Sequence, residues 1–172
     1  MHRIVPQAQD RGNLVADSSE TTGLKWAAPA GGGKVLQVIQ GTTTTQTTNA
    51  TTTYADTTLS ATITPSATNS KILVIVNQNG ILGTTGSAGV KLRLLRGATS
   101  IVTFSGSVGY TQASSTRNDT TSGVTYLDSP NTTSATTYKT QFAQRVSDGT
   151  AVQVQVTAGD DTSTITLLEI GA

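Results

Sequence analysis

Acid–base or glycosidic chemistry needs two carboxylates held at a fixed separation. The chain offers Asp56, Asp119, Asp128, Asp148, Asp160, Asp161 and Glu169. Most stand in turn contexts, where Asp is favoured because its side chain bonds nearby backbone. His2 is the single histidine and sits at a terminus, so a Ser-His-Asp relay would have to hang on it. Cysteine is absent, which removes disulfides, thiolate metal ligands and a thiol nucleophile. Gly159-Asp160-Asp161 lacks the alternating oxygen ligands of a calcium loop and reads as a hairpin turn. The glycine-rich run from Gly80 to Gly89 lacks the Lys-Ser/Thr ending of a phosphate cradle and reads as a loop. These residues predict no enzyme, no cofactor and no metal.

Recognition is a different matter, because loops carry it in sandwiches. The stretch from Gly109 to Gly123 is long for a hairpin connection, and such loops tend to be functional or disordered. It sets Tyr110 beside Gln112, Arg117, Asn118 and Asp119. A ring face packs on the C–H groups of a sugar while amides and a charge bond its hydroxyls, so this set suits receptor contact with a glycan. The plainer reading is a solvated connection in which Arg117 and Asp119 pair at the surface. Asn49, Asn118 and Asn131 open glycosylation patterns that a Thr-rich chain produces by chance.

The elements that must position these residues are constrained by composition. The chain has 172 residues, 11 basic and 10 acidic side chains and a net charge of +1. Charged residues are 12%, against about a quarter in ordinary soluble proteins. A phosphate-binding surface needs clustered Lys and Arg, so nucleic acid is not an expected partner. No apolar run approaches about 18 residues, so membrane insertion by a helix is not expected either, and Met1 to Asp10 lacks the apolar centre of a signal peptide. Thr supplies about a fifth of the chain, and β-branching favours strands. With aromatics at 4%, the core has to be thin and built mainly of Val, Ile, Leu and Ala.

Residues 1–34 read as an extended arm: Pro6 and Gly12 interrupt it, Asp17 to Glu20 reads as a turn, and Gly31–Gly33 form a linker. The compact domain is expected over residues 35–172. Val35 to Gln40 opens it as a strand buried on both faces, and Lys71 to Asn77 is the most apolar strand and therefore central. Val90 to Arg96 alternates, with Val90, Leu92 and Leu94 inward and Lys91 and Arg93 outward. Strands follow at Leu59–Thr64, Ser100–Phe104, Val124–Leu127, Thr137–Val146, Ala151–Val156 and Thr164–Ile170, with Asp148-Gly149 as a hairpin turn. Many short strands at 8–12-residue spacing and no helix predict an all-β chain, an antiparallel β-sandwich of jelly-roll type. Strand 71–77 and its flank Ile81-Leu82 offer more apolar residues than one small sandwich covers, which predicts self-association.

The segment Asn13-Leu-Val-Ala-Asp-Ser-Ser-Glu-Thr-Thr-Gly-Leu-Lys-Trp26-Ala-Ala-Pro29 resembles a junction in tail-fibre-like proteins of tailed bacteriophages, just before a distal or surface domain. Gly33 to Gln40 is similar to the opening of that domain. Leu59 to Pro65, Ser70 to Val76, Leu127 to Lys139 and Ile165 to Ile170 are similar to its later strands. The resemblance covers most of residues 13–172 and implies a virion structural protein, with trimers the common assembly. On that basis the chain is expected to stand on a phage surface as capsid decoration or short fibre. It would be made in the host bacterial cytoplasm, with other virion proteins as partners. The alternative is a receptor-binding fibre tip for host glycans. Leu14, Val15, Leu24 and Trp26 are the arm's candidate anchoring residues, because apolar side chains on an irregular segment are most useful buried against a partner.

Overall fold

The computed structural model describes residues 13–16, 18–19, 21–27, 34–83, 89–110, 118–146 and 151–171. Strands and no helix occur among them, so no helix there is long and apolar enough to cross a membrane. Strands β1 (Asn13–Ala16) and β2 (Leu24–Ala27) form an antiparallel hairpin, with Leu14 opposite Trp26 and Ala16 opposite Leu24. The arm expected to be irregular therefore contains a two-stranded element. Runs of four residues are too brief for alternation to stand out in a sequence.

From Val35 onward the strands are β3 (Val35–Thr43), β4 (Thr47–Asn49), β5 (Ala55–Ile63), β6 (Lys71–Gly83), β7 (Val90–Arg96), β8 (Thr99–Val108), β9 (Thr120–Asp128), β10 (Thr136–Gln144), β11 (Val152–Val154) and β12 (Ser163–Ile170). Sheet I has the order β5-β10-β7-β8, and sheet II runs β3-β12-β6 with β9 on the other side of β6. The short β4 and β11 carry the β3 and β12 columns further along β6. Numbering the long strands of the domain in chain order gives 2-7-4-5 and 1-8-3-6. The pairs β3·β12, β5·β10, β6·β9 and β7·β8 are those of one long antiparallel ribbon folded across itself. This is a jelly roll, the type the sequence predicts.

Local patterns explain most of the placement. Val90, Leu92 and Leu94 are fully buried, and β6 is an inner strand, as its composition requires. Two expectations fail. β3 is an edge strand, and Val35, Leu36 and Val38 stay about half exposed rather than buried on both faces. The flank Ile81-Leu82 is covered within the chain, because β6 continues past a bulge at Gln78/Ile81 into the core. Gly80 makes that bulge possible: its φ is +59°, and a Cβ there would sit 2.7 Å from the Val156 backbone nitrogen.

The core is two apolar clusters with a polar seam between them. One cluster contains Leu59, Val76, Tyr138 and Ile165; the other contains Ile81, Phe142, Val152 and Val154. Thr57, Gln78, Thr140 and Ser163 lie in between and are fully buried. Thr57 and Thr140 share a hydroxyl hydrogen bond of 2.5 Å. The Gln78 amide oxygen accepts from a threonine hydroxyl, Thr140 Oγ1, at 3.0 Å, and its Nε2 donates to Ser163 Oγ at 3.0 Å. Gln155 Nε2 donates to the same serine oxygen at 2.7 Å. The chain of bonds thus joins sheet I to sheet II through the interior.

A second buried polar group closes the edge of sheet II. Glu169 on β12 accepts from the backbone N–H and hydroxyl of Ser66 at 2.7 and 2.6 Å, and from Gln37 Nε2 on β3 at 2.6 Å. Burial works to raise its carboxyl pKa, but the donors led by Ser66 and Gln37 outweigh this and hold it at about 2.

Two outcomes follow. Thr140→Val leaves Thr57 and the Gln78 oxygen facing a methyl group, and should lower unfolding free energy by about 1–3 kcal/mol in urea titration. Glu169 has a folded pKa of about 2 against an ordinary 4.5, so its stabilisation is complete above pH 4.5 and fades as pH falls through 2. Its cover is thin, since Ser66 is exposed. Glu169→Gln should therefore cost roughly 2 kcal/mol at pH 7, with the gap to the parent chain narrowing steadily below pH 4.5.

Candidate functional site

Each sheet ladder fixes which residues meet at the end of the sandwich. Gln144 on β10 pairs with Val90 on β7, and Val90 pairs with Val108 on β8. One step further, the Arg145 backbone N–H donates to the Gly89 carbonyl at 2.7 Å. The chain leaves β8 through Gly109 at φ +67° and reaches Tyr110. The Arg145 guanidinium then lies 5.6 Å from the centre of the Tyr110 ring. Ser107, Tyr110 and Arg145 line an open cavity of about 400 Å³, within the size range of small-ligand sites.

The cavity can offer a ring face, a hydroxyl and a fork of guanidinium donors to one bound group. That combination fits a saccharide, with the cation favouring one that carries a carboxylate. Among the residues expected from the sequence, Tyr110 stands in the cavity and is 38% exposed. Asn118 and Asp119 are exposed just before β9. Gln112 and Arg117 lie outside the described residues. Ser107 and Arg145 were not expected. They are far from Tyr110 or unremarkable in sequence, and only the β10–β7–β8 register brings Arg145 to the ring.

Asp128, Asp56 and Asp161 each hold a separate set of structural partners. Asp128 receives the Tyr138 hydroxyl at 2.6 Å and Arg96 at 2.9 Å. Burial, and then Asp128, raise the pKa of the Tyr138 phenol above its usual range. Asp56 binds Lys139 Nζ at 2.9 Å and Gln141 at 2.7 Å. Asp161 accepts from the Thr157 backbone N–H at 2.8 Å within its turn, and Asp148 lies outside the described residues. No group of three His, Cys, Asp or Glu side chains converges among the described residues. Asn49 is nearly buried, donating to the Thr53 and Phe142 carbonyls at 2.9 and 3.1 Å, which makes it a structural residue.

The candidate anchoring residues fall on the hairpin. Leu14 and Leu24 are about half exposed there, and Val15 and Trp26 occupy β1 and β2. The hairpin leads into Val35, which lies beside Ile170 and the start of β6 at Lys71. The cavity lies beyond the other end of β6, where Gly109 approaches Gly83. Val35, where the domain begins, and the cavity are therefore separated by the length of β6, about 40 Å at the usual strand rise.

Because Tyr110 and Arg145 stand at the surface and share one contact, replacing either by Ala should lower stability by about 0.5–1 kcal/mol, roughly the worth of that contact. A double-mutant cycle on the pair should give a coupling of about 0.5–1 kcal/mol, the range of an exposed cation–π contact.

No family model and no curated protein matches the chain. One solved structure of similar shape is the crystal structure of the infectious bursal disease virus VP2 subviral particle, with 10% identity and a TM-score of 0.43. The match covers 96% of this chain and 47% of that one, so the chain spans about half of that protein's length. At that distance the likeness adds nothing to the jelly roll established by strand order.

Proposed function

We propose that this chain is a non-enzymatic structural protein of a tailed-bacteriophage particle. It stands on the particle surface as capsid decoration or short fibre, held by its N-terminal arm and working as a homotrimer. The observation that carries this reading is the division of the chain. A hairpin with half-exposed Leu14 and Leu24 precedes a complete jelly roll whose first strand begins at Val35. The resemblance of residues 13–172 to phage tail-fibre-like junctions and surface domains supplies the setting. Its partners are then other virion proteins, and its place of synthesis is the host bacterial cytoplasm.

A second reading, a fibre tip that binds host glycans, is favoured by the cavity of Ser107, Tyr110 and Arg145. It opens about 40 Å along β6 from Val35, the point at which the arm enters the domain.

A chain beginning at Val35 should fold yet be missing from purified particles, whereas the full chain is incorporated in hundreds of copies if it decorates the head. Normal incorporation of the shortened chain would remove the arm's role. A handful of copies per particle, together with adsorption lost in a Tyr110→Ala/Arg145→Ala double variant, would favour the fibre tip instead.

A further inference from the structure

The two outer faces of the sandwich differ in chemistry. On sheet I the outward residues include Arg93, Lys139, Asp56 and Gln141, tied together by hydrogen bonds, with Arg93 and Lys91 3.9 and 5.4 Å from the Tyr54 ring centre. That face is built for water. On sheet II the register lines up Val38, Leu168, Leu73 and Leu127, one residue from each of four adjacent strands. Val38 is 56% exposed and Leu127 57%. Ile75 on the next row is 40% exposed, and Leu36 at the edge is 50% exposed. Strand spacing and rise make this apolar band about 400 Å², a size at which surface patches are often functional.

We infer that the outer face of sheet II seats the N-terminal hairpin of a second copy of this chain. Three observations select that occupant. An isolated two-stranded hairpin is marginal in water and needs a surface to pack on. Leu14 and Leu24, at positions sharing one face of β1–β2 by register, are 51% and 47% exposed while the band is exposed as well. In one chain, then, neither apolar set covers the other. Finally, the band alone is about half of the roughly 800 Å² per partner in a standard interface. An exchange in which each copy gives its hairpin and receives another roughly doubles the buried surface. The tether permits it: Ala27 to Lys34 is seven Cα steps, at most about 25 Å, and it enters the sheet at Val35, on the edge of the band.

The inference stands independently of any virion role and is tested with the full chain in solution. Sedimentation at micromolar concentration should show a closed oligomer. Val38→Glu/Leu127→Glu alters only exposed positions, so strand content by circular dichroism should be retained while self-association weakens by about a hundredfold or more. Leu14→Asp/Leu24→Asp should do the same. Mixing these two variants pairs an intact hairpin with an intact face and should restore a mixed dimer. A monomeric parent chain would overturn the inference, as would oligomers indifferent to the face variant. If the face variant dissociates and the hairpin variant does not, the faces pack on each other and the hairpin is not the occupant.

Discussion

A hydrogen-bonded seam runs through the middle of this protein, and the pairing of its strands depends on it. Thr57, Thr140, Gln78, Ser163 and Gln155 occupy positions between apolar ones on their own strands or the segments beside them. Leu59 follows Thr57; Tyr138 and Phe142 flank Thr140; Val76 precedes Gln78; Ile165 follows Ser163. Sliding any one strand by two residues would keep its inward face inward but would set a hydroxyl or amide against hydrocarbon. An unpaired buried polar group costs about 1–3 kcal/mol. A smooth Val/Ile/Leu core with few aromatics has little shape to tell one register from another. The seam provides that discrimination.

With the registers fixed, the sandwich acquires two distinct faces and two distinct ends. Charge and amide groups on sheet I keep one face in water, and aliphatic side chains on sheet II leave the other in need of cover. The domain begins at the end where Val35 pairs with Ile170, while Tyr110 and Arg145 meet at the opposite end.

The fold class was legible because burial alternates with period two along most strands; Ser163 to Ile170 shows it without interruption. The inner position of β6 followed from its composition. The edge position of β3 did not, because Val35-Leu36 and Val38-Ile39 look alike whether the second face meets another layer of the same chain or is left open. Burial of Ile81 was hidden by Gly80, whose bulge resets the alternation that a reader extrapolates from residues 71–77. At the loop end, Tyr110 was visible as an aromatic in a long polar stretch. Arg145 was not, since it stands 35 positions further along the chain and comes next to Tyr110 only through two ladders. The same holds for the band Val38-Leu168-Leu73-Leu127: each member is an ordinary strand residue, and only four strands in register make it a surface.

The meeting of β3 and β12 also has a mechanical side. The Gly171 N–H donates to the Lys34 carbonyl at 2.8 Å, and the β3–β12 ladder runs from that point to Ser163 and Thr43. A pull applied through the arm at Lys34 and resisted at the far loops is directed along β3. Its hydrogen bonds to β12 stand across that direction and are loaded together. Pulling Lys34 against Gly171 instead would open the same ladder from one end, a rung at a time. The β3–β12 ladder is therefore stiffer to tension between Lys34 and the far loops than to a force that separates Lys34 from Gly171.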